Sequence, residues 1–331
     1  MGGTSWSNDE YVSRASYRAS AKIDTFAYSK AIESGKVEKK AHDTLDPLKF
    51  KNGIRECRDS DAHPVTTPVA IGLDVTGSMK AVPSIIQKQL PKLMGMLDRR
   101  GYVEGPSICM AGIGDAACDK VPMQIGQFES GIEIENDITN IYLEGGGGAN
   151  NFESYEVFLY FLAKCVKADH FEKRGKKGYA FIICDESLSP KISVTQLKKV
   201  FGDNCQGLDS QSKDDINTKE IVEEVLRNWN LYVIVPDMTS HYNDSYMKKF
   251  WKECIGQNVL LLDNPEGITE FIASTIGICE GNVEVSDVVK DLKDMNTDTA
   301  VVNSVSKGLS VVKSGTGLKV ADNGSTGLAT L

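Results

Sequence analysis

From residue 67 to about 280 the chain alternates short apolar runs with longer stretches of three- and four-residue apolar spacing. The runs Thr67–Asp74, Ser107–Gly114, Met123–Phe128, Gly178–Cys184, Leu231–Pro236 and Asn258–Leu262 are bounded by polar, glycine or proline positions and predict strands. Helical spacing follows the first run at Ile85, Leu90, Leu93, Met96 and Leu97. It recurs over Phe152–Asp169, Lys191–Phe201, Thr218–Trp229, Ser245–Ile255 and 266–279. Strands separated by helices predict an α/β fold with a doubly wound, mostly parallel sheet.

The two ends read differently. Residues 1–66 are polar and mix basic with aromatic side chains (Tyr11, Arg14, Tyr17, Arg18, Lys22, Phe26, Tyr28), so 10–35 is expected to hold one or two amphipathic helices. Pro64 and Pro68 make the approach to the first strand an extended loop. Beyond the domain expected over 67–282 lies a C-terminal extension, 283–331, read as a helix and then a flexible tail rich in Gly, Ser and Thr. Val301, Val302, Val305, Leu309, Val311 and Val312 are apolar enough for part of that tail to dock.

Charge and cysteine usage narrow the function classes. A formal net charge of −9 over 331 residues argues against nucleic-acid or anionic-membrane binding. No stretch approaches the roughly 20 apolar residues of a transmembrane helix. Met1 to Trp6 carry no basic-then-apolar leader pattern. The eight cysteines form no C-x-x-C pair, and several sit inside apolar runs. Scattered thiols of this kind fit a reducing compartment, and a cytoplasmic chain is expected.

Chemistry concentrates where the first strand ends, at Asp74-Val75-Thr76-Gly77-Ser78. In open α/β sheets, ligands bind at the carboxyl ends of the strands. One carboxylate and two hydroxyls at alternate positions of a tight turn present hard oxygens to one point. That set suits Mg²⁺ better than Zn²⁺, with Mn²⁺ or Ca²⁺ as substitutes. An Asx or Ser/Thr turn capping the next helix is the purely structural alternative.

This Asp-x-Thr-x-Ser resembles the metal-ion-dependent adhesion site of von Willebrand factor A (integrin I-like) domains of the intracellular type. The resemblance implies that Asp74 holds the cation through water, while Thr76 and Ser78 ligate directly. It also implies an aspartate after a later strand, and Ile182-Ile183-Cys184-Asp185 supplies Asp185. The family's remaining loop is a glycine-rich turn carrying a threonine. Here Glu144-Gly145-Gly146-Gly147-Gly148-Ala149-Asn150-Asn151 has the glycines but no threonine. An amide carbonyl is an oxygen donor, so Asn150, with Asn151 beside it, is the substitute candidate. Asp115, ending the second strand, is read either as a group behind the ligands or as a turn residue. Glu153 and Glu186 are read as helix-start or surface carboxylates.

The function so implied is a metal-dependent protein–protein interaction module, an adaptor or scaffold. Its partner would offer an exposed carboxylate, within a larger multiprotein assembly in one version. The alternative is a structural assembly protein with a weak metal site. No pairing of nucleophile and general base is evident, so an enzyme is not expected, and metal-dependent phosphoester hydrolysis is the third reading.

Overall fold

Strand Thr67–Asp74 is buried at all eight positions, as a Val/Ala/Ile/Leu run must be when helices cover both faces of a sheet. The computed structural model describes residues 5–145, 152–209, 212–310 and 312. These residues form strands β1 Arg55–Cys57, β2 Thr67–Asp74, β3 Pro106–Ile113, β4 Met123–Ile125, β5 Val166–Ala168, β6 Gly178–Ile183, β7 Lys191–Ile192, β8 Ile216–Asn217, β9 Trp229–Pro236 and β10 Val259–Leu262.

Six of them make the central sheet in the order β10-β9-β6-β2-β3-β4. All its pairings are parallel except β3 with β4. The expected α/β, doubly wound sheet is therefore present. From β2 the chain first steps to β3 on one side, and later places β6 on the other. The carboxyl ends of β2 and β6 therefore flank a topological switch point, where a crevice opens above the sheet.

Each face has its own core. Val69, Ile71 and Leu73 pack with Ile86 and Leu90 of helix Val82–Met94 and with Phe271, Ile272 and Ile276 of helix Ile268–Glu280. Ala70 looks the other way, toward Phe158 and Phe161 of helix Tyr155–Lys164, with Val225 and Trp251 nearby. Gly72 shares that second face. A Cβ there would come within 2.7 Å of the Phe158 ring and 2.8 Å of Ile113. Only glycine lets helix Tyr155–Lys164 lie this close to β2, which matters because that helix carries a side chain into the site.

Several expected boundaries shift for tertiary reasons. The helix expected over Phe152–Asp169 is Tyr155–Lys164, because Val166–Ala168 becomes β5 and pairs with β1, a partner more than a hundred residues away in the chain. Lys191–Ile192 is a strand paired with β8, and the helix starts at Val194 behind the Ser193 cap. Trp229 opens β9 rather than closing a helix.

Both extensions pack on the domain. Helices Asn8–Ala21 and Ala27–Glu33 bring Tyr11 and Phe26 into the first core. Arg14 and Arg18 of the first helix pair with buried Glu135. After helix Val285–Asp294, part of the segment read as a flexible tail forms helix Thr299–Leu309 and docks through the apolar residues expected to do so, with Val301, Val302, Val305 and Leu309 buried. The Gly/Ser/Thr-rich segment from 313 lies outside the described residues. Among the described residues no helix is long and apolar enough to cross a membrane.

Candidate functional site

The polar turn after β2 closes on itself before it reaches across the sheet. Asp74 Oδ1 accepts from the Thr76 backbone N–H at 2.8 Å and from Thr76 Oγ1 at 2.6 Å. Thr76 Oγ1 lies 3.2 Å from Ser78 Oγ, and Ser78 Oγ donates to Asp185 Oδ1 at 2.8 Å. Thr76 with Asp74 and Ser78 with Asp185 thus form two hydrogen-bonded pairs, whose hydroxyl oxygens meet across the carboxyl ends of β2 and β6. A hydroxyl has one proton and two lone pairs. Once Thr76 and Ser78 have donated to the carboxylates, each keeps lone pairs for a further electropositive group.

Two residues that the sequence pattern did not single out fix the aspartates. Tyr155, fully buried in the first turn of its helix, donates to Asp74 Oδ2 at 2.6 Å. The backbone N–H of His241 donates to Asp185 Oδ2 at 3.0 Å. The signal for Tyr155 was a hydroxyl in an otherwise apolar run beside the glycine loop. His241 acts through its backbone, which leaves no signal in residue type.

Asp115 is buried at the head of β3 and braces its own turn: Oδ1 accepts from Ala117 N–H at 2.7 Å and Oδ2 from the Cys118 thiol at 3.0 Å. Glu153 is not a surface carboxylate. It is only 4% exposed, and its Oε2 is buried without a hydrogen-bond partner. Glu186 is half-buried, with Oε2 in the same condition and Oε1 3.6 Å from His241 Nε2. Asn150, Asn151, Ala149 and Gly146–Gly148 lie outside the described residues.

The electrostatics have one source, negative groups brought together in a dry crevice. Burial raises the Asp74 carboxyl to about 6 against the hydrogen bonds from Thr76 and Tyr155, and Asp185 adds to the rise. Glu186 is pushed up to about 7 by burial and by Asp74, Asp185 and Asp115. Glu153 is pushed up to about 10 by burial and then by Asp74, Glu186, Asp115 and Asp119. A divalent cation would offset this repulsion, and the hydroxyl lone pairs and orphaned carboxylate oxygens suit a hard one. Among the described residues no three His, Cys, Asp or Glu side chains converge to hold a metal by themselves. Any direct ligation here would therefore need Thr76 and Ser78 as well as the aspartates.

Beside Asp185 opens a cleft of about 200 Å³, lined by Phe152, Glu186, Ser187, His241, Tyr246 and Met247 among others. Phe152 and Tyr246 are 40% and 68% exposed, so the flank of the site is aromatic as well as acidic.

No family model matches the chain, and no curated protein matches it. Similar solved structures include the pilus adhesin SpaC from Lactobacillus rhamnosus GG in its open conformation, with a TM-score of 0.43 and 11% identity over 67% of this chain and 31% of that one. Proximal thread matrix protein 1 from the mussel byssus aligns with a TM-score of 0.39 and 9% identity over 64% and 47%. A von Willebrand factor type A structure from Catenulispora acidiphila aligns with a TM-score of 0.37 and 10% identity over 64% and 42%. The chain thus spans 31% to 47% of the length of these structures.

Proposed function

We propose that the chain is a metal-ion-dependent interaction module that captures an acidic group of a protein partner at the head of β2 and β6. The observation that carries this reading is the convergence of Asp74, Thr76, Ser78 and Asp185, whose two hydroxyl–carboxylate pairs bring two neighbouring strand ends together and leave hydroxyl lone pairs unspent. Asp74 and Asp185 supply negative charge, Thr76 and Ser78 supply neutral oxygens, and Tyr155 and the His241 N–H hold the carboxylates in place. Bound Mg²⁺ or Mn²⁺ would supply a positive charge that a partner's carboxylate can ligate, worth more in this dry crevice than in water. The cleft beside Asp185 is where the partner's flanking residues would lie. The eight cysteines form no disulfide and most are buried, which supports a reducing compartment.

Calorimetric titration of the full chain with MgCl₂ and MnCl₂, paired with partner capture with and without chelator, tests this. Metal uptake and chelator-sensitive capture should both disappear in Asp74→Asn. Capture that survives both the substitution and the chelator rules the reading out. A structural assembly protein with a weak metal site is the second reading. It is favoured by one observation: both oxygens of Asp74 are already bonded within the protein, Oδ1 by Thr76 and Oδ2 by Tyr155. It predicts no heat with either metal.

A further inference from the structure

At the heads of β2, β3 and β6 the aspartate oxygens have protein donors. Asp74 is bonded by Thr76 and Tyr155, Asp185 by Ser78 and His241, and Asp115 by Ala117 and Cys118. Glu153 differs. It is as buried as they are, yet its Oε2 has no donor. Leaving a buried polar atom unsatisfied costs on the order of 1–3 kcal/mol, and more if it is charged.

The backbone around Glu153 is pinned from three directions. Phe152 bridges to Ser187, just past Asp185 and Glu186. Ser154 donates its N–H to Gly114 O at 3.0 Å and accepts from Ala116 N–H at 2.8 Å, tying it to the turn after β3. Tyr155 reaches Asp74 at the end of β2. Anchors on either side of Glu153 tie this stretch to the ends of β2, β3 and β6, and Asp74 and Glu186 lead the charges that act on its carboxyl.

We infer that Glu153 completes the candidate site: its carboxylate accepts hydrogen bonds from water around a cation held by Asp74, Thr76, Ser78 and Asp185. This rests on the metal-dependent reading of the site. Because no three carboxylates converge on one point among the described residues, Glu153 is assigned to water around the ion and not to the ion itself. Glu153 is in this sense a positioning residue for the ion's hydration shell, and groups in that role typically set metal affinity by a factor of about 10–100.

The test is MnCl₂ calorimetry on the full chain, wild type against Glu153→Gln, Glu153→Asp and Asp74→Asn, with metal-free thermal melts of each. Glu153→Gln keeps the side-chain volume and removes the carboxyl that could ionise beside a bound cation. It should weaken Mn²⁺ binding roughly ten- to a hundredfold while the metal-free melting temperature stays level or rises. Glu153→Asp, which keeps a carboxylate that water can still span to, should fall between. Wild-type Mn²⁺ affinity in Glu153→Gln overturns the inference, as does a metal-free melting temperature well below wild type, which would make the role structural. If the wild-type chain binds no Mn²⁺, the metal reading falls and Glu153 with it. Binding that is lost in Asp74→Asn and intact in Glu153→Gln removes Glu153 alone.

Discussion

Tyr155 and Asp74 stand 81 positions apart in the chain and 2.6 Å apart at their oxygens, the phenol donating to Oδ2 of the buried carboxylate. Tyr155→Phe removes that donor and changes little else, because the ring is packed on all sides. The loss of a buried hydrogen bond to a carboxylate should cost about 1–3 kcal/mol in urea denaturation. Asp74 also loses its orientation from that side, so Mg²⁺ or Mn²⁺ affinity should fall about tenfold. Unchanged stability together with unchanged affinity would show that the tyrosine neither braces nor orients Asp74.

The reason Tyr155 can reach Asp74 is the absence of a side chain at Gly72. Gly72→Ala places a Cβ 2.7 Å from Phe158 and 2.8 Å from Ile113, and neither neighbour is a flexible chain end in open space. Overpacking of this kind costs about 1–3 kcal/mol. The expected signature is a lower denaturation midpoint at unchanged slope. The helix must also shift outward, so Gly72→Ala should weaken metal binding in step with Tyr155→Phe. A fully stable Gly72→Ala would mean the helix is free to retreat.

The parts of this molecule legible in the sequence are those governed by local periodicity. Strand Thr67–Asp74 and helix Ser245–Ile255 are read to the residue, the first from its β-branched run and the second from its apolar spacing. Cys165–Ala168 reads as a continuing helix, because nothing local reveals that Arg55–Cys57 will lie alongside it. The Val-rich stretch Thr299–Leu309 is apolar enough to dock, but the Gly/Ser/Thr run after it hides that it is a helix, and nothing local names Phe271 as its partner. At the site, Asp74, Thr76, Ser78 and Asp185 are legible as strand-end oxygens. Glu153 reads as an ordinary first-turn carboxylate because burial of one oxygen is a property of three loops at once.

Asp59 gives the fold an acid-sensitive clasp at the opposite, amino end of the sheet. Its carboxylate takes both Nη atoms of Arg174, at 2.8 Å and 3.1 Å, and the N–H and hydroxyl of Thr66. The Arg174 bond leads in holding its pKa down at about 2. An unfolded aspartate takes up its proton near pH 3.9. The folded state therefore resists protonation that the unfolded state accepts, and the contribution is complete above about pH 4 and lost as pH falls toward 2. Melting temperatures between pH 2 and 6 should show a shallower acid decline in Asp59→Asn than in wild type. Parallel curves would mean the clasp contributes nothing to acid stability.

The C-terminal helix Thr299–Leu309 offers a test in which even the sign is informative. In a free helix, Gly308→Ala would stabilise by roughly 0.5–1 kcal/mol through lost backbone entropy. In the docked helix a Cβ at Gly308 meets the Phe271 ring at 2.6 Å, so the same change should destabilise. Val305→Ala should cost about 2 kcal/mol, the transfer of the lost methyl groups plus the cavity left against Gly267. Asn303→Ala on the exposed side of the same helix should stay within about 0.5 kcal/mol of wild type. Phe271 belongs to the helix that packs on Val82–Met94, the segment following Asp74-x-Thr76-x-Ser78. Destabilisation by Gly308→Ala would therefore show that the C-terminal segment presses on the element supporting the candidate metal loop, whereas stabilisation would show a helix that forms without docking.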